Sequence, residues 1–109
     1  MAANLPLTGA SGTTYDFSVH SKDVTFKALG AVYAITKRYK KSDDKFGHDV
    51  IYIGQTKDLS TRFYDHHREV CFDRNNWNCI CVHLDSNESS RLKKESDLIE
   101  KHDPPCNKQ

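Results

Sequence analysis

Tyr52-Ile53-Gly54 is followed by Arg62 and, one helical turn further on, by His66. These are residue types that phosphodiester cleavage needs. A guanidinium steadies a phosphate through a rigid fork of donors, and an imidazole moves a proton because its pKa lies near neutral pH. The glycine ends a strand, and Thr56 or Asp58 can cap a helix that begins just beyond it. Leu59, Phe63, His66 and Val70 recur at the spacing of one helical face, which predicts a helix running to about Val70. A histidine on such a face is more often a packed core residue than a catalyst. Arg62 beside it changes the balance, because an arginine next to the core needs an anion to meet. The stretch therefore points to a phosphate site and to a nuclease.

A carboxylate adds to this chemistry. Asp85-Ser86-Asn87 starts a second helix that runs to about His102, where Asp103-Pro104-Pro105 stops it. Leu92, Glu95 and Ile99 fall on one helical face, so Glu95 projects from the apolar side. That placement is costly unless the carboxylate meets a cation, a metal or good donors. A rim glutamate that reaches outward or pairs with Arg91 is the plainer alternative, and the helix alone does not separate the two.

Strands must position these groups. Residues 31–36 are β-branched and aromatic, with Ala31, Tyr33 and Ile35 on one face. Val50-Ile51-Tyr52-Ile53 is a second strand, too apolar for an edge exposed on both faces. The polar residues 37–48 between them are expected to form a long hairpin loop, and the simplest pairing is antiparallel. Residues 77–84 alternate as a third strand, with Ile80, Val82 and Leu84 on one face. Residues 15–20 suggest a short extended piece, and residues 21–30 a helical turn or two stopped by Gly30. The expected fold is α+β: a small, three-stranded, mainly antiparallel sheet flanked by helices. Residues 1–25 are expected to be a flexible tail or extension, and residues 26–109 the domain.

Composition narrows the class. A chain of 109 residues, 37% hydrophobic and 28% charged, suits one soluble domain. No apolar run approaches the ~20 residues that span a membrane. The N-terminus lacks the cationic start and apolar segment of a secretory signal, so a cytoplasmic location is expected. Net charge is only +1, from 16 Lys+Arg against 15 Asp+Glu. The charges are segregated, however: Lys37, Arg38, Lys40 and Lys41 form a basic run, while Asp85, Glu88, Glu95, Asp97 and Glu100 lie in the C-terminal half. Such segregation lets one side hold a phosphate backbone, although a charge run by itself is more often a solvated loop. The four cysteines, Cys71, Cys79, Cys81 and Cys106, are expected to be reduced thiols. Zinc drawn from Cys79, Cys81, His83 and Cys106 or His102 is disfavoured, because structural zinc usually takes paired ligands from C-x-x-C turns, which are absent here.

Together these residues resemble the GIY-YIG nuclease superfamily, over nearly all of the chain from about Gly30. Ala31-Val32-Tyr33 stands where the first family motif would be, and Tyr52-Ile53-Gly54 is the second. Arg62 matches the family's arginine, His66 its His or Tyr, Glu95 its metal-binding glutamate and Asn107 its closing asparagine. The histidine and the spacing of Asn107 look most similar to the restriction-endonuclease branch. The resemblance implies a metal-dependent endonuclease acting on DNA, with Mg²⁺ (or Mn²⁺) held by Glu95. Tyr33 would activate water, Arg62 clamp the phosphate, His66 accept or relay the proton, Tyr52 orient the substrate and Asn107 brace the site. Tyr33 would need cationic neighbours to favour its phenolate, since an isolated tyrosine has a pKa of ~10. Lys37, Arg38, Lys40, Lys41, Lys57 and Arg62 would contact DNA, duplex or branched. Sequence preference would have to come from the N-terminal segment, the 37–48 loop, a homodimer or a partner protein. The alternative is a catalytically silent nucleic-acid-binding module of the same fold.

Overall fold

The apolar runs around Tyr33 and Tyr52 pair antiparallel, with Ile35 opposite Tyr52 and Tyr33 opposite Gly54. The computed structural model describes residues 3–63 and 68–108. Five strands form a single antiparallel sheet: β1 (Ala3–Thr8), β2 (Thr14–Ser21), β3 (Ala31–Ser42), β4 (Lys45–Thr56) and β5 (Cys79–Leu84), in the order β1-β2-β5-β3-β4. The helices are α1 (Leu59–Arg62), α2 (Glu69–Arg74) and α3 (Glu88–His102), followed by a 3-10 helix over Pro105–Asn107. Among the described residues no helix is long and apolar enough to cross a membrane.

The α+β class is as expected, but the sheet has five strands rather than three. The two additional strands come from the segment expected to be a tail. Phe17 and Leu7 are buried, so the β1–β2 hairpin carries its own apolar side chains into the domain core. Asp97 of α3 secures that hairpin by accepting from the Ser11 backbone, the Ser11 hydroxyl and the Tyr15 hydroxyl at 2.7–2.8 Å. No helix forms over residues 22–30.

Residues 37–48 are not a loop. They extend β3 and β4 into a two-stranded ribbon paired out to Ser42 and Lys45, with Asp43 and Asp44 in the turn. Tyr39 lies opposite Gly47, where an added Cβ would come within 2.5 Å of the tyrosine ring. The ring thus covers the glycine and gives the polar ribbon an apolar cross-strand contact.

Two clusters pack on the alternate sides of β3. Ala31, Tyr33 and Ile35 belong to one, Val32 and Ala34 to the other. Between Ile35 and Thr36 the register shifts, leaving Ile51 as an extra residue in β4, so Ile51 and Tyr52 both reach the first cluster. β4 is an edge strand after all, but a covered one. The Asn107 side chain accepts from the Ile53 N–H at 2.8 Å and donates to the Ile53 carbonyl at 2.9 Å, as a neighbouring strand would.

The helix expected to run to Val70 is shorter. Asp58 caps it, accepting from the Ser60 N–H at 2.9 Å, and α1 ends at Arg62. Val70 belongs to α2 and is 67% exposed rather than on an apolar face. Leu84 at the end of β5 is likewise exposed.

Cys71 and Cys106 form a disulfide, which corrects the expectation of four reduced thiols; Cys79 and Cys81 are free and buried. The bond joins α2 to the C-terminal 3-10 helix across a sequence separation of 35. Closing a loop of that length restricts the unfolded chain and stabilises by roughly 2–4 kcal/mol. Cys71→Ala should lower the unfolding free energy by about that amount in chemical denaturation, and adding reductant should do the same to the wild type. Equal midpoints with and without reductant would contradict the bond's role.

Candidate active site

Tyr33 is the centre of the site because its surroundings leave it nowhere else to go. It is 0% exposed, with Phe63 packed edge-on at 5.0 Å and Tyr52 at 6.0 Å between ring centres. Gly54 faces it across the strands, and a Cβ there would lie 2.6 Å from the Tyr33 hydroxyl and 2.8 Å from the Tyr52 ring. The glycine of the second motif thus makes room for the tyrosine of the first.

Arg62, on the last turn of α1, is half-buried and donates from Nε to the Tyr33 hydroxyl at 3.0 Å. Asp58 fixes the start of this short helix, and from its last turn Arg62 reaches Tyr33 near the start of β3. Burial is the main influence on the Tyr33 phenol and raises its pKa well above 10. The neighbouring Tyr52 pushes it the same way. The Arg62 charge and hydrogen bond pull it down, but not far enough. The cationic neighbour expected from the sequence is present, yet in the unliganded protein desolvation wins and Tyr33 is a neutral hydroxyl.

Glu95 approaches from α3. Arg91 and Leu98 are the buried residues of this helix, while Glu95 and Ile99 are partly buried as their stripe predicted and Leu92, expected beside them, is 46% exposed. Glu95 is half-buried, and that burial raises its pKa; a hydrogen bond from the Gln55 backbone and the Arg62 charge oppose the rise. The plainer pairing with Arg91 does not occur. Arg91, only 4% exposed, donates from Nε to the Gln55 side-chain oxygen at 3.0 Å and from Nη1 to the Asp85 carbonyl at 3.1 Å. Gly30 leaves room for it, since a Cβ there would sit 2.6 Å from Arg91 Nη1.

Arg91 and Gln55 were not anticipated as site residues. Gln55 links the two carriers of charge: its side chain holds Arg91 and its backbone holds Glu95. The spacing of 91, 95 and 98 could have revealed this, but Leu92 drew the apolar face the wrong way.

Tyr33, Tyr52, Arg62 and Glu95 therefore converge at the end of the β3–β4 pair. The Asn107 side chain fixes the backbone of Ile53, between Tyr52 and Gly54. Lys57 is exposed just beyond β4. Lys37, Arg38, Lys40 and Lys41 lie on the ribbon, away from this cluster. His66 lies outside the described residues.

Among the described residues, no group of three or more His, Cys, Asp or Glu could hold a metal ion. Glu95 would supply one carboxylate oxygen set, which suits a hard cation that keeps most of its water and shares the substrate's phosphate oxygens. It does not suit a cation needing a full protein cage. Cys106, tied to Cys71, is removed from any zinc set.

A family model described as the GIY-YIG catalytic domain matches residues 29–109. No curated protein and no solved structure matches the chain.

Proposed function

The chain belongs to the GIY-YIG catalytic domain family, a family of endonucleases, and from that premise we propose that it hydrolyses DNA phosphodiester bonds with a divalent cation, Mg²⁺ or Mn²⁺, held by Glu95. The observation that carries the reading is the meeting of three groups from three elements. Arg62 bonds the Tyr33 hydroxyl at 3.0 Å, while its charge also acts on the Glu95 carboxylate.

Arg62 clamps the scissile phosphate and neutralises the charge that builds on it in the transition state. Glu95 would hold the cation, which when bound would supply Lewis-acid stabilisation of the leaving oxygen. Tyr33, neutral and held by Arg62, orients the attacking water through its hydroxyl, and His66 takes up the proton. Tyr52 lines the approach to Tyr33. Asn107 keeps the Tyr52-Ile53-Gly54 backbone in place. Lys57 and the ribbon cations contact the DNA backbone. Cutting both strands of a duplex requires a second copy of the chain, a partner protein or two successive nicks.

Arg62→Ala should lower the nicking rate on supercoiled plasmid by roughly 10²–10³. Arg62→Lys should recover only part of it, because a point charge lacks the guanidinium fork. A wild-type protein that shifts DNA on a gel but cuts none with either cation would favour the silent binding module. An Arg62→Ala protein that fails to fold would make Arg62 a structural residue instead.

A further inference from the structure

A groove of about 410 Å³ opens at the root of the β3–β4 ribbon, between the ribbon and β2. Val19, His20, Arg38, Lys40, Phe46 and Asn78 line it, and no carboxylate is among its lining residues. Arg38 is its best-prepared group. Its guanidinium carbon stands 4.1 Å from the centre of the Phe46 ring. Its Nε is buried with no hydrogen-bond partner among the described residues. An unsatisfied buried donor on a permanent cation is costly unless an anion reaches it.

The backbone beneath Arg38 is also fixed. Asn78 accepts from the Arg38 N–H at 2.7 Å and donates to the Arg38 carbonyl at 3.0 Å. This bracket continues the pairing of β5 past its end and sets the position of the arginine before any ligand arrives. A guanidinium stacked on an aromatic ring keeps its donor-bearing edge available for bidentate contact with phosphate. Lys40 adds a second cation; its contact with Asp43, at 3.8 Å between two exposed side chains, is too weak to hold it there.

We propose that this groove seats a backbone phosphate of the nucleic-acid substrate, gripped by Arg38 and Lys40 at a point well separated from the cleaved bond. Arg38 is five residue steps along β3 from Tyr33, a span of about 17 Å at ~3.3 Å per step. Measured along the axis of a duplex, that is the rise of roughly five base pairs. The identity of the substrate rests on the endonuclease reading; the groove's anion chemistry does not.

The test is duplex binding by fluorescence anisotropy, with Ca²⁺ replacing the catalytic cation, across about 50 to about 200 mM KCl. Arg38→Gln should weaken binding roughly tenfold and reduce the slope of log K against log salt by about 0.9, the value of one phosphate contact. Arg38→Lys should keep the slope but lose affinity. Lys40→Gln, a change at an exposed site, provides a second variant should Arg38→Gln prove unfolded, and it should lower the slope as well. Unchanged affinity and slope in the folded variants overturn the proposal, as does a wild type that does not bind duplex. An NMR titration in which inorganic phosphate saturates the Arg38 Nε signal while duplex leaves it unmoved overturns it in favour of a free-phosphate site. Plasmid nicking is scored separately. A protein that cuts but binds independently of Arg38 loses only the groove, and one that binds through Arg38 yet never cuts loses only the nuclease reading.

Discussion

Glu95→Gln should abolish metal-dependent cleavage, by ~10³ or more, and leave the fold as stable as the wild type or more so at neutral pH. Burial raises the Glu95 pKa in the folded protein above its ordinary 4.5. A group shifted in that direction contributes stability below its ordinary pKa and loses it as pH rises through the folded value. At pH 7 the ionised carboxylate is therefore a net cost to the fold, relieved only in part by the Gln55 backbone and Arg62. Glutamine removes the charge, and its amide oxygen can still accept from Gln55. If Glu95 holds the cation as proposed, added Mg²⁺ should raise the melting temperature of the wild type and not of the variant. Nicking rates and melting curves with and without Mg²⁺ measure both halves. Cleavage that survives the substitution would remove Glu95 from the metal's coordination.

The second large effect belongs to Gly54→Ala, which should destabilise by about 1–3 kcal/mol and slow cleavage by roughly 10² through displacement of the Tyr33 hydroxyl. Glycine is not required here for an unusual backbone angle, since Gly12 is the glycine with a positive φ among the described residues. It is required for space. The new Cβ would lie 2.6 Å from the far end of a tyrosine that is fully enclosed, so the ring cannot swing clear. Gly47→Ala provides the control. The same cross-strand clash arises with Tyr39, but that ring is 38% exposed and can turn into solvent. Its cost should be small, and its effect on cleavage smaller still. Denaturation midpoints and nicking rates for the two variants test the contrast; equal behaviour would mean that enclosure of Tyr33 does not matter.

What could be read from the sequence was local. The β3–β4 pairing around Tyr33 and Tyr52 followed from two apolar runs joined by a polar segment, the start of α1 from Thr56 or Asp58, and the limits of α3 from Asp85-Ser86-Asn87 and the proline pair. The candidate site followed from the order of Tyr33, Tyr52, Arg62 and Glu95 along these elements. What stayed hidden depended on distant partners. Phe17 and Leu7 make the N-terminal hairpin a strand pair only when the core is there to receive them. Polar residues 37–48 form a ribbon because Tyr39 finds Gly47 across it. Arg91 reaches Gln55 because α3 is rotated to bury residues 91 and 98 in place of Leu92, and that one-residue difference cannot be resolved from the helix alone. The neutral state of Tyr33 was also invisible, because it depends on how completely the ring is enclosed.

The bond between Cys71 and Cys106 makes residues 71–106 a covalent ring within the chain. β5, α3 and Glu95 lie inside the ring, whereas Tyr33, Tyr52 and Arg62 lie on the linear part that precedes it. A single backbone break anywhere inside the ring leaves one connected molecule rather than two fragments, so Glu95 stays tethered to the rest of the candidate site. The same break on the linear side, in the ribbon turn at Asp43 and Asp44, severs the first tyrosine from everything that follows. The two halves of the candidate site are therefore unequally protected against chain scission.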